Sequence, residues 1–263
     1  MTTEHLLDDR PLAPLRAMAN KVPEVTVYFW IIKVLTTGMG ETASDLLARS
    51  LGPVPAVALG GLALVASLAV QLAVRRYVAW VYWTGVVMVS VFGTMAADVL
   101  HVGLGISYTV STPLFLTALV AVFALWYASE RTLSILSIRT RRREAFYWAA
   151  VLATFALGTA AGDLTATVGF GYLGSVALFA AAICVPAVTH RFAGLNAVTA
   201  FWTAYVITRP LGASLADWMA LGHARGGLGL GLGPVTLAWT VAIVSFVGYL
   251  AVSRDDVSGG RTV

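Results

Sequence analysis

Charge is scarce in this chain, and cysteine and histidine are scarcer. Only 11% of its 263 residues are charged, one is cysteine and four are histidine. The single Cys184 excludes an internal disulfide, and no Cys or His spacing fits a zinc or haem motif. The glycine-rich HARGGLGLGLGP at 223–234 lacks a preceding strand and a Lys-Ser/Thr ending, so it reads as an external connection and not as a nucleotide loop. The first twenty residues, MTTEHLLDDRPLAPLRAMAN, lack the apolar core of a cleavable signal. Alternation of barrel-strand type is missing as well, which leaves helices as the way to satisfy the backbone in lipid. No nucleophile with a base, no histidine cluster and no cofactor fingerprint is present, so an enzyme is not expected and no bound cofactor is called for.

What the chain has instead is apolar length. Hydrophobic residues make up 59% of it, and the mean hydropathy is +0.82, far above that of an ordinary soluble domain. Eight stretches approach the roughly 20 residues that cross a bilayer as helix: 24–47, 54–74, 78–100, 109–129, 145–166, 172–189, 196–219 and 233–252. The expectation is an all-α polytopic membrane protein with eight transmembrane helices. Arg75, Arg76, Arg131, Arg139, Arg141, Arg142, Arg143 and Arg191 fall in the even-numbered connections, against Arg49 and Arg225 in the odd-numbered ones. That asymmetry predicts cytoplasmic termini. It also accounts for a pI near 9.4 without nucleic acid; the expected partners are the lipid bilayer, a small cation and protons.

Compared with itself, the chain repeats four times. An aromatic-Trp pair is followed by glycine ten residues on and aspartate five later: FW30, Gly40, Asp45; YW83, Gly93, Asp98; YW148, Gly158, Asp163; FW202, Gly212, Asp217. A second, uncharged span follows each, so the unit is a two-span hairpin. The Trp-to-Trp steps are 53, 65 and 54 residues, and the long middle step holds SIRTRRRE. The organisation expected is an N-terminal arm at 1–20, repeats 1 and 2 at 21–130, a basic linker at 131–143, repeats 3 and 4 at 144–253, and a tail at 254–263.

With KVPEVTVYFWIIKVLTTGMGETASDLL and TRPLGASLADW as its most specific phrases, nearly the whole chain resembles an uncharacterised bacterial integral-membrane family of four tandem two-span repeats, each with a marked tryptophan. The resemblance implies this fold, a multi-pass location in the bacterial inner membrane, and no activity.

Residues four apart lie on nearly the same helix face, about 6 Å higher each time. Counting back from each aspartate gives four stripes: Asp45, Glu41, Thr37, Lys33; Asp98, Thr94, Ser90, Val86; Asp163, Thr159, Phe155, Val151; Asp217, Ala213, Arg209, Tyr205. Every charged residue deep in the spans sits on these stripes, while the even-numbered spans carry none. The odd-numbered helices are therefore expected inside, pseudo-symmetric about the membrane normal. A charge at mid-bilayer costs at least ~2.5 kcal/mol, and Lys33 and Arg209 can offset only two of five carboxylates. Asp45, Asp98, Asp163, Asp217, Glu41, Thr94 and Thr159 are thus the candidate metal ligands, with Lys33 and Arg209 as gate or counter-charge. An oxygen set free of His and Cys suits Mn²⁺, Mg²⁺ or Ca²⁺, with Mn²⁺ the first choice.

The reading that follows is a transporter for a hard divalent cation, a proton-coupled exporter. An exporter of an organic cation or amphiphile, or a non-transport scaffold, is the alternative. Blander roles stay open beside these. The glycines suit close helix packing. Trp30, Trp83, Trp148 and Trp202 suit interfacial anchors or wedges between repeats. The aspartates cap loops if the helices sit a turn further out, and Arg209 before Pro210 marks a helix break.

Overall fold

The computed structural model describes residues 20–257; the expected N-terminal arm, apart from Asn20, and the end of the tail lie outside the described residues. Eight α-helices fill most of them: α1 Val27–Leu51, α2 Pro53–Ala73, α3 Ala79–Asp98, α4 Tyr108–Glu130, α5 Arg141–Thr165, α6 Gly171–Ala193, α7 Ala197–Ala220 and α8 Leu232–Ser253. Their starts follow local chemistry. Thr26, Thr140 and Asn196 cap α1, α5 and α7 by accepting a backbone N–H, and Pro53 opens α2 where its missing N–H costs nothing. A single π-helical turn continues α3 over Val99–Gly103 and another continues α5 over Ala166–Phe170. In the second, Gly169 takes φ 114°, a conformation open to glycine, and kinks the chain into α6.

Among the described residues, five continuous helical segments are long and apolar enough to cross a membrane: Pro53–Ala73, Ala79–Gly103, Tyr108–Glu130, Arg141–Ala193 and Leu232–Ser253. The fourth contains both α5 and α6. Helices α1 and α7 fall outside this set, and they carry the charged stripes with Lys33, Glu41 and Asp45 on one and Arg209 and Asp217 on the other.

The odd-numbered helices form a closed ring. Helix α1 packs on α3, α3 on α5, α5 on α7 and α7 back on α1. The even-numbered helices lie outside, and each packs more extensively on the inner helix of the next repeat than on its own: α2 on α3, α4 on α5, α6 on α7, and α8 around the circle on α1. The hairpin is thus the unit of sequence and not the unit of packing.

Two sets of equivalent contacts gear the ring. A side chain at Gly40 would strike Ser90, at Gly93 Phe155, at Gly158 Arg209, and at Gly212 Thr37, each at 2.6 Å or less. Every repeat therefore meets the next through its glycine, which lets backbones approach closely. Nearer the basic end, where the arginine-rich connections lie, each aromatic preceding a tryptophan touches the next repeat's tryptophan. The pairs are Phe29–Trp83, Tyr82–Trp148, Tyr147–Trp202 and Phe201–Trp30, with ring centroids 5.6, 5.7, 6.1 and 5.7 Å apart. Trp83, Trp148 and Trp202 are buried and Trp30 half-buried, so these rings sit between repeats and not in an exposed belt.

Candidate functional site

The four stripes meet on the axis of the ring. Helical spacing puts Glu41, Thr94 and Thr159 on one level and Thr37, Ser90, Phe155 and Arg209 one turn nearer the basic end, and all seven are buried. The Arg209 side chain is fully buried and reaches up a level. Its Nη2 donates to Glu41 Oε2 at 2.9 Å, to Thr159 Oγ1 at 2.6 Å and to Thr94 Oγ1, while Nη1 donates to the Thr37 carbonyl at 3.2 Å. One guanidinium from the fourth repeat is therefore bound by oxygens of the other three. Its Nε is buried without a partner among the described residues.

Lys33 lies below, fully buried. Its ammonium has the Thr37 hydroxyl at 3.4 Å and stands over two rings, Phe155 at 4.1 Å and Tyr205 at 4.3 Å from the centroids. The Phe155 ring is shared, because the Arg209 guanidinium carbon lies 5.1 Å from its centre. Two basic side chains thus occupy the axis in different ways, Arg209 held by oxygen and the Lys33 nitrogen set chiefly among aromatic faces. Toward the basic end Phe29, Tyr82 and Tyr147 are fully buried, and the two tyrosine hydroxyls are bonded to each other.

The aspartates rim the acidic end. Asp217 is buried; Asp45, Asp98 and Asp163 are half-buried. Asp45 pairs with Arg49 at 3.5 Å on an exposed helix face, and Glu41 interacts electrostatically with all four. Among the described residues no three His, Cys, Asp or Glu side chains gather closely enough to hold a metal ion. The expected ring around one ion is thus drawn as a wider acidic mouth, and the tight oxygen cluster is the one around Arg209. Of the expected ligands, Glu41, Thr94 and Thr159 come together; the four aspartates do not join them. Arg209 pairs with the Glu41 carboxylate, whereas Lys33 has no carboxylate partner among the described residues.

Two features at the basic end went unforeseen. Lys21 Nζ pairs with Glu144 Oε2 at 2.5 Å, and Gln71 Nε2 donates to Glu144 Oε1 at 2.9 Å, with all three residues buried. Beside them the Tyr77 hydroxyl donates to Asp256, whose backbone carbonyl accepts from Glu24 N at 3.0 Å. Burial raises the Asp256 carboxyl above the ordinary carboxylate range, although the Tyr77 hydrogen bond acts against the shift. Lys21 and Glu144 lie 123 residues apart, and no local spacing announces such a pair.

Comparison with curated proteins and with solved structures gives no match. The family described as a Repeat of Unknown Function (DUF347) matches at residues 28–77, 81–132, 146–194 and 200–256, one match for each two-helix unit. Those four matches span most of the chain, which therefore belongs to the Repeat of Unknown Function (DUF347) family.

Proposed function

We propose that this protein is a multi-pass transporter of the bacterial inner membrane that moves a hard divalent cation along the axis of the helix ring in exchange for protons. In this reading all eight helices cross the bilayer and both termini are cytoplasmic, as the arginine-rich even connections favour. The observation that carries the proposal is the buried Arg209 guanidinium held by oxygens of three other repeats. Those oxygens are what a dehydrated cation requires. Arg209 acts as a tethered stand-in, and an arriving ion competes with it for Glu41 while adding the aspartates of the mouth, which Arg209 does not use. Protons return to the vacated carboxylates, so that no bare charge is left in the low-dielectric interior. The fixed positive charge of Arg209, with the Lys33 side chain below it on the axis, blocks free conduction, which favours a carrier over a channel.

Among divalent ions the donors suit Mn²⁺, Mg²⁺ and Ca²⁺, with Mn²⁺ first. A second reading, transport of an organic cation, is favoured by the aromatic faces around the Lys33 ammonium. The first is tested in proteoliposomes loaded with a pH dye and exposed in turn to Mn²⁺, Mg²⁺, Ca²⁺ and Zn²⁺. Mn²⁺ uptake with opposing proton flux is expected, absent in Glu41→Gln and at least about tenfold slower in Asp163→Asn. Unchanged uptake by both variants, or no flux with any metal from folded parent protein, overturns it.

A further inference from the structure

Two segments outside the α-helices lie at the basic end of the ring: residues 20–26 ahead of α1, and residues 131–140 between α4 and α5, where the only regular structure is a 3₁₀ turn at Ile135–Ser137. Their partners run round the circle. Lys21 Nζ reaches Glu144 on α5, the helix across the ring from α1, and the Leu72 carbonyl at the end of α2 at 3.3 Å. Glu24 N donates to the Asp256 carbonyl at 3.0 Å, and the Asp256 carboxylate takes the Tyr77 hydroxyl at the entry to α3. The Leu133 carbonyl accepts from Trp202 Nε1 of α7 at 2.9 Å, and Lys21 N joins the two segments by donating to the Ile138 carbonyl at 3.1 Å. Segments tied in this way to α5, to α7 and to the entries of α1 and α3 pass over the end of the ring. From them Val22, Ile135 and Ile138 press into the core.

We infer that the two segments form one lid, the basic-end gate of the axis, and that the buried Lys21–Glu144–Gln71 contact is its latch. A carrier closes its two ends in turn. At the acidic end three of the four aspartates are only half-buried, so the end that must open is the one the lid covers. The joint is built for parting. A buried ion pair adds little net stability because each charge has lost its water, and both regain it when the pair separates. A hydrocarbon joint of the same area gains nothing of that kind on opening. Irregular segments held by a few bonds are also where local opening concentrates. The inference deepens the transport proposal and rests on it for the axis as path; movement of the lid is measured without transport.

The test uses the full chain with its one cysteine removed by Cys184→Ser. Val22→Cys places a thiol on the buried face of the lid, and Ala56→Cys places one in the separate buried cluster with Val91 and Met95. Each is reacted with methyl methanethiosulfonate and followed by mass spectrometry. Adding Lys21→Met leaves Glu144 charged and buried, so Val22→Cys should react at least about tenfold faster while Ala56→Cys keeps the parent rate; Lys21→Met/Glu144→Gln should return Val22→Cys to the parent rate or below. An unchanged rate at Val22→Cys, or an equal rise at both thiols, overturns the lid. For the gate, Asn20→Cys and Arg139→Cys flank the Lys21–Ile138 backbone bond and are joined in proteoliposomes by a short, reducible bifunctional thiosulfonate. Mn²⁺ flux should stop in the linked protein and return on reduction. Undiminished flux through linked protein overturns the gate and leaves transport standing; absence of flux from the unlinked, folded protein with every metal overturns transport, and with it the gate, while the thiol rates still decide the lid.

Discussion

Replacing Gly158 by alanine should dislodge Arg209. A Cβ at that position would lie 2.1 Å from Arg209 Cγ and 2.5 Å from its Cβ, with Pro210 Cδ at 3.1 Å. Carbon atoms rest about 3.5–4.0 Å apart, so the arginine stem must retreat by roughly 1.5 Å. Hydrogen bonds of 2.6–3.2 Å from the guanidinium do not survive such a shift. The cost combines overpacking of about 1–3 kcal/mol with a broken buried ion pair of about 3–5 kcal/mol, and a net loss of at least about 3 kcal/mol is expected. Gly162, one turn away on the same helix, is the control. Its added Cβ would meet Ser214 at 3.5 Å and Pro210 at 3.7 Å, ordinary contact distances, and alanine is the better helix former by about 1 kcal/mol. Unfolding of purified protein in mixed micelles by SDS titration, followed by circular dichroism, measures both. Gly158→Ala should unfold at clearly lower SDS and Gly162→Ala within about 1 kcal/mol of the parent. Coincident curves for the two variants would refute the gearing of repeat on repeat through these glycines.

Glu41→Gln leaves Arg209 buried without a carboxylate, and the same titration should report a loss of about 3–5 kcal/mol; adding Arg209→Met should restore most of it. Lys21→Met leaves Glu144 with the neutral Gln71 as its partner among the described residues, so a similar loss is expected, reversed in Lys21→Met/Glu144→Gln. Asp256 has its carboxyl raised by burial, so the folded state holds that proton more tightly than the unfolded chain. Its contribution to stability is present in acid and fades as pH rises through the raised value. Asp256→Asn should flatten that part of the stability-against-pH curve, and Tyr77→Phe, which removes a hydrogen bond favouring the ionised form, should move it to higher pH.

The sequence carried the helices, the repeat and the stripe, because each depends on a fixed spacing along one helix. The glycine every repeat shares and the aspartate five residues later keep their register without insertion, so Thr37, Ser90, Phe155 and Arg209 could be set on one level by counting. Reach was not legible. A residue count places Arg209 a turn below Glu41, but its long side chain climbs that turn and fills the oxygen cluster assigned to a metal ion. Partner choice among outer helices was equally hidden, since apolar α2, α4, α6 and α8 bear nothing that tells a neighbour in the same repeat from one in the next. The Lys21–Glu144–Gln71 contact joins three distant segments, and only the closed ring brings them together.

The circular closure of α8 onto α1 also sets an order of events during synthesis. Glu41 emerges 168 residues before Arg209, and the flank of α1 that α8 covers stays open until α8 is made. The nascent chain must therefore carry Glu41 without its guanidinium partner, and its first helix without its outer neighbour, until the fourth repeat is in place.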